Sequence, residues 1–135
     1  MTKNEIQTIL TNLLINKADF ALLFGSWIKG NDLVNAESDV DCGVFFRSEI
    51  VDDKSYFDIA EQFESIVGRK LDLVCLNTAD IIIAAQIVAT GEKLFSHSQN
   101  QFDTYQANVI SRYIDFKQSR KIIEKNILIR PNYGR

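Results

Sequence analysis

The sequence predicts an α/β fold, a small mixed β-sheet flanked by helices and followed by a long C-terminal helix. Three observations carry that reading. Short apolar runs rich in Val, Leu and Phe recur at 19–24, 39–46 and 71–76, as strands do. Around them lie longer stretches with apolar residues at helical spacing. Several connections are long enough to hold a crossover helix, so part of the sheet can be parallel.

Taken in order, Thr2 and Glu5 have capping-box spacing, and Ile6, Ile9, Leu10, Leu13 and Leu14 then follow as one face of a first helix. Residues 19–24 form an apolar run that stops at Gly25, which suits a buried strand. The next strand spans 39–46. Asp52 or Asp53 can cap a helix whose apolar face uses Phe57, Ile59, Ala60, Phe63, Ile66 and Val67, with Gly68 as its stop. Residues 71–76 are a third strand. Thr78 can cap a helix running to Ala89 and ending at Gly91, and 93–95 can be an edge strand. A long helix begins near Phe102, carries Tyr105, Val109, Tyr113, Phe116, Ile122 and Ile123, and can end by Pro131. It can complete the core or offer a partner surface.

With 135 residues, 46% apolar and 24% charged, and only one Pro and six Gly, the chain reads as a single domain over 1–135. A net charge of −3 argues against a broad basic surface, so no direct nucleic-acid binding is expected. The N-terminus lacks a signal-peptide pattern, and the most apolar run, 81–89, is too short to span a bilayer. Cys42 and Cys75 lie in strand-like runs and read as reduced, buried thiols, which suits a cytoplasmic protein.

The chemistry concentrates after the first two strands. Gly25 permits a sharp turn and close approach to a ligand, Ser26 adds a hydroxyl, and a short helix from Trp27 to Lys29 could present free amides to phosphate. Alone, the pair reads as a plain turn. Asp39 and Asp41 are two apart in a strand, so both carboxylates face one way while Val40 faces the core. Two such charges about 4 Å apart repel by roughly 4 kcal/mol at an effective dielectric near 20. A divalent metal with oxygen ligands supplies the counter-charge and can bridge to a nucleotide's phosphates; the alternative is a pair of solvated strand-end acids. Asp72 lies between Leu71 and Leu73 and faces away from them. On a strand adjacent to Asp39 and Asp41 it would place three carboxylates around one or two metals. Otherwise it pairs with Arg69, Lys70 or another cation.

This order of strand, Gly25-Ser26-Trp27-Ile28-Lys29-Gly30, Ser38-Asp39-Val40-Asp41 and a later Asp72 resembles the polymerase-beta-like nucleotidyltransferases, over about 20–76. The short chain is similar to their minimal members. The resemblance implies the nucleotidyltransferase fold, Mg²⁺ held by Asp39 and Asp41 with ATP as donor, and Gly25 and Ser26 on the β- and γ-phosphates with Lys29 as a helper. It also implies a second metal position completed by Asp72, which helps deprotonate the acceptor hydroxyl. Twelve residues lie between Ser26 and Asp39, a longer loop than the family's usual one.

The C-terminal stretch from Tyr113 to Lys117, with 130–135, resembles MntA-type antitoxins paired with a HEPN-domain ribonuclease toxin. The implied activity is transfer of AMP to a tyrosine hydroxyl of the toxin, silencing it. Alternatives are an antitoxin that acts by binding alone and a transferase for a small hydroxyl compound. Among other residues, His97 reads as a solvated loop residue and Arg47 as a group that could reach a ligand. Arg112, Lys117, Arg120, Lys121 and Lys125 form a solvated basic helix face or a docking surface. One His and two separated Cys make a zinc site improbable.

Overall fold

The computed structural model describes residues 2–25, 39–47 and 53–129. Along them run α1 (Lys3–Leu14), β1 (Ala18–Phe24), β2 (Val40–Phe46), α2 (Asp53–Val67), β3 (Leu71–Cys75), α3 (Ile81–Thr90), β4 (Glu92–Ser96) and α4 (Gln99–Ile129). The strands form one mixed sheet in the order β3-β2-β1-β4. β1 pairs antiparallel with β2 and β4, whereas β2 and β3, joined through α2, are parallel.

Period-2 alternation divides the sheet into two faces. On one, Val40, Cys42, Val44 and Phe46 of β2 meet Ala21 and Leu23 of β1, Ile6, Leu10 and Leu14 of α1, and Ile59 and Phe63 of α2. On the other, Phe20 and Leu22 pack with Leu76, Ile87 of α3 and Phe102 of α4. Covering both faces explains why β1 is an unbroken apolar run. Gly43, on the second face of β2, lets α3 lie close: a Cβ there would come within 3.0 Å of the Ile87 side chain. Phe45 follows in an aromatic cluster, stacked on Phe20 with centroids 4.9 Å apart and edge-on to Tyr105.

The helix ends show where local chemistry decided. The Thr2 hydroxyl accepts from the Glu5 amide, as the capping spacing predicts. Gly68 follows α2 at φ +78, and its amide donates to the Glu64 carbonyl. Asp52 lies outside the described residues. The cap of α3 is Asp80, not Thr78: Asp80 Oδ1 accepts from the Ile83 amide, while the Thr78 amide is taken up in a turn onto the Cys75 carbonyl. α4 starts at Gln99, three residues before the expected Phe102, because the Ser98 hydroxyl accepts from the Gln101 amide. Pro131 lies outside the described residues.

One side chain extends the sheet beyond β3. The Leu76 amide donates to the Val44 carbonyl. The next ladder partners of Phe46 would be the Leu76 carbonyl and the Thr78 amide, but these bond to the Tyr105 hydroxyl and the Cys75 carbonyl, and the Asn77 side chain takes their place. The Phe46 amide donates to Asn77 Oδ1 at 2.8 Å, and Asn77 Nδ2 donates back to the Phe46 carbonyl at 2.9 Å. Replacing Asn77 by Ala leaves both backbone groups of the buried Phe46 without this partner, at an expected cost of about 1–2 kcal/mol. Thermal melting should show a midpoint lower by several degrees; an unchanged midpoint would mean that water substitutes for the amide.

Candidate active site

The candidate site lies where β1 ends and β2 and β3 begin. Phe24, the last residue of β1, is registered against Asp41, and Asp41 is registered against Asp72 across the parallel pair. Asp41 and Asp72 are therefore cross-strand neighbours on one face, and Asp39 shares that face by strand parity. It is the same face that holds Gly43 and α3 further along, but at this end none of the described helices covers it: Asp39 and Asp72 are exposed and Asp41 is half-buried.

Gly25 closes the arrangement. Its φ is +80, a conformation that side-chain-bearing residues rarely adopt. A Cβ at this position would run into the Asp41 carboxylate. The glycine thus serves the turn and, at the same time, gives the Asp41 carboxyl group its room.

Electrostatics follow from the placement. Partial burial pushes the Asp41 carboxyl above the ordinary carboxylate range, and the neighbouring charges of Asp72 and Asp39, with a hydrogen bond to Asp72, push the same way. The nearby cation offers little relief: Lys70 Nζ is 3.9 Å from Asp72 Oδ1, and both side chains are about half or more exposed. Among the described residues, no group of three His, Cys, Asp or Glu is placed so that it could hold a metal ion. What exists is a close carboxylate pair, Asp41 with Asp72, and a third acid near enough to act on it through charge. Hard, negatively charged oxygen donors suit a hard divalent cation.

A pH dependence follows. The raised native value means that the folded chain holds the Asp41 proton more tightly than the unfolded chain, whose reference value is 3.8. This group's contribution to stability is thus full below 3.8 and is lost as pH rises through its raised native value. Metal-free protein should lose this increment over that window, whereas Asp41→Asn protein should not. Chemical denaturation at stepped pH, comparing the two proteins, checks it; parallel stability profiles would contradict it.

The family model for polymerase-beta nucleotidyltransferases matches residues 4–100. The chain belongs to that family. One curated relative of this nucleotidyltransferase is the protein adenylyltransferase MntA of Shewanella oneidensis (strain MR-1), 26% identical over 128 residues that cover 95% of this chain and 88% of the relative. Among solved structures, a toxin–antitoxin complex with AMP-PNP superposes with a TM-score of 0.73 at 24% identity, over 95% of this chain and 99% of that one. The tri-AMPylated HEPN toxin of Shewanella oneidensis in complex with its MNT antitoxin gives a TM-score of 0.73 at 22% identity, over 94% and 99%. At these identities the structural likeness speaks for the fold.

Of the residues singled out by sequence, the nucleotidyltransferase brings Gly25, Asp39, Asp41 and Asp72 to one sheet end. Ser26 and Lys29 lie outside the described residues, as do Trp27 and the 31–37 loop. Arg47 is placed elsewhere: it follows β2 at the opposite end of the strand, with Nε 3.6 Å from Asp19 Oδ1 and a guanidinium hydrogen bond to the Asn16 carbonyl. His97 is exposed, but its Nε2 is 2.6 Å from the Ile15 carbonyl, tying β4 to the end of α1 rather than waving in solvent. Both cysteines are free; Cys42 is buried as expected and Cys75 only half so. Sequence reading missed the contact between Gly25 and the Asp41 carboxylate. The available signal was a glycine at one strand's end where the next strand opens on an Asp.

None of the helices among the described residues is long and apolar enough to cross a membrane.

Proposed function

We propose that this chain is an antitoxin enzyme that transfers AMP from ATP to a tyrosine hydroxyl of a HEPN-domain ribonuclease toxin, thereby inactivating it. The observation that carries this reading is the Asp41–Asp72 pair at the end of the sheet, set against the positive-φ Gly25, in a chain of nucleotidyltransferase family. The identity of the donor and acceptor is supported by the MntA relative, which spans nearly the whole chain and is named as a protein adenylyltransferase. Complexes of similar fold contain AMP-PNP or an AMPylated HEPN toxin.

Asp39 and Asp41 are the residues to hold Mg²⁺, with Asp72 completing the set; when bound, the ion would offset charge on the triphosphate and on the departing pyrophosphate. The chain's own contribution is positioning. The turn at Gly25 brings backbone close to the β- and γ-phosphates, with Ser26 as a hydroxyl donor and Lys29 as a cation beside it. Asp72, on the neighbouring strand and half exposed, faces the acceptor and takes the proton from its hydroxyl. The tyrosine oxygen attacks the α-phosphorus, a new P–O bond forms, and the bond to the β-phosphate oxygen breaks with pyrophosphate leaving. Atoms and charge balance without any other reactant.

The test is to incubate the chain with ATP, Mg²⁺ and a HEPN-domain ribonuclease that it binds, then measure the intact mass and the ribonuclease activity of that protein. Mass increments of AMP with loss of ribonuclease activity are expected. Full neutralisation without increments would make the chain a binding antitoxin. Transfer only to small hydroxyl compounds would make it a small-molecule enzyme.

A further inference from the structure

α4 is much longer than the body it packs on. Phe102 and Val109 are its buried residues, with Tyr105 half-buried between them. From Val109 to Ile123 the helix runs on for about 21 Å at 1.5 Å per residue. Large apolar side chains are nevertheless concentrated there: Ile110, Ile114, Phe116, Ile122 and Ile123 are all exposed. Ile82 and Ile83, in the first turn of α3 beside it, are exposed too. Seven of the nine exposed large hydrophobics among the described residues thus gather at one end of the molecule, where a monomer gains nothing from them. Between Ile82, Tyr113 and Phe116 lies a groove of about 290 Å³, rimmed by Lys117, Arg120, Lys121 and Glu124.

The charge of this region is opposite to that of the rest. From residue 110 to 125 there are five cations (Arg112, Lys117, Arg120, Lys121 and Lys125) against Asp115 and Glu124. The stretch carries +3 in a chain of −3, so the remainder carries −6. Arg120 is paired internally with Glu124 at 3.1 Å, and Lys117 lies over the Tyr113 ring. Lys121 and Lys125 have no acidic partner among the described residues.

The disposition of the apolar residues selects the kind of partner. At 3.6 residues per turn, Ile110 and Ile114 share one side, Phe116 and Ile123 a second, and Ile122 a third. A membrane-surface helix needs one apolar face and one polar face, which this stretch lacks. A helix apolar on several sides is one that other elements surround. Two α4 helices packed together would set +3 against +3. An acidic protein face with an apolar groove meets both demands.

We infer that the far half of α4, together with the first turn of α3, docks an acidic, apolar groove on the acceptor protein; this rests on the acceptor proposed above. The test measures the affinity of a HEPN-domain ribonuclease that the parent chain binds for three variants by titration calorimetry. Ile122→Asp combined with Ile123→Asp should weaken binding about 30-fold or more. Lys117→Glu with Lys121→Glu should also weaken it and flatten its salt dependence. Ile66→Asp, an exposed apolar position on α2, should leave affinity unchanged. In AMP transfer, the α4 variants should raise the KM for the acceptor and leave kcat and ATP affinity as in the parent. Unchanged affinity in both α4 variants would overturn the inference. So would a concentration-dependent dimer of the chain alone that the isoleucine variant abolishes, because the surface would then hold a second copy. Failure of the activity itself is distinguishable: parent protein that binds the acceptor through α4 but adds no AMP refutes the transfer and leaves the docking surface standing.

Discussion

Asp41→Asn should abolish AMP transfer while giving a protein that melts at a higher temperature than its parent. The two effects have one cause. The parent holds Asp41 half-buried beside Asp72 and Asp39, with burial and like charge both acting against its ionised form. An amide of the same shape removes one of the charges and can donate to the Asp72 carboxylate across the same register. Discounted for the solvent that screens a half-exposed group, the gain should be about 1 kcal/mol, or roughly 3–6 °C in midpoint for a domain of this size. The same substitution takes away a hard anionic donor where the nucleotide's charge must be met. Loss of one preorganised electrostatic group of this kind costs about 10²–10³-fold or more in turnover. Calorimetric melting without divalent metal, together with a single-turnover AMP-transfer assay, reads both. Transfer at near the parent rate would remove Asp41 from the site, and a lower midpoint would mean that the acid cluster is not strained.

Much of this arrangement is legible in the sequence because strand chemistry has period 2. Asp39 and Asp41 straddling Val40 state their own geometry, and Val40 is indeed fully buried. Asp72 between Leu71 and Leu73 likewise states which way it points. What no local pattern states is that Asp72 lies directly opposite Asp41, because register is fixed by the two packed faces of the finished sheet. Arg47 shows the converse error. It follows the Asp-bearing strand by only a few residues, yet six residues of strand are about 20 Å, so sequence nearness placed it at the wrong end. Asp80 prevailed over Thr78 as the cap of α3 because the chain first turns at Cys75–Thr78, a tertiary event that no capping preference contains. The last helix was legible as a helix, but Ile122 and Ile123 at apolar spacing do not reveal that the body ends before them. The same limit applies at Gly25, where composition suggests a turn and only the folded sheet shows what lies against it.

Gly25→Ala is therefore expected to be costly out of proportion to one methyl group. Two independent penalties coincide. At φ +80 an alanine is in a region that costs of order 1 kcal/mol for a residue with a Cβ. The new methyl would also occupy the space of the Asp41 carboxylate, and moving that side chain disturbs its place opposite Asp72. Relief requires either the turn to open or Asp41 to rotate away, and each displaces a member of the site. Stability should fall by about 1–3 kcal/mol. AMP transfer, measured well below the variant's melting temperature, should fall about 100-fold, since a displacement near 1 Å in a positioned group is enough for that. Gly25→Ser should behave alike, because the conflict lies at Cβ and a hydroxyl beyond it cannot help. The double variant Gly25→Ala with Asp41→Ala separates the two penalties: deleting the carboxylate should restore the part of the stability due to collision and leave the part due to backbone conformation. If the double variant recovers nothing, the methyl and the carboxylate do not meet, and Gly25 serves the turn alone.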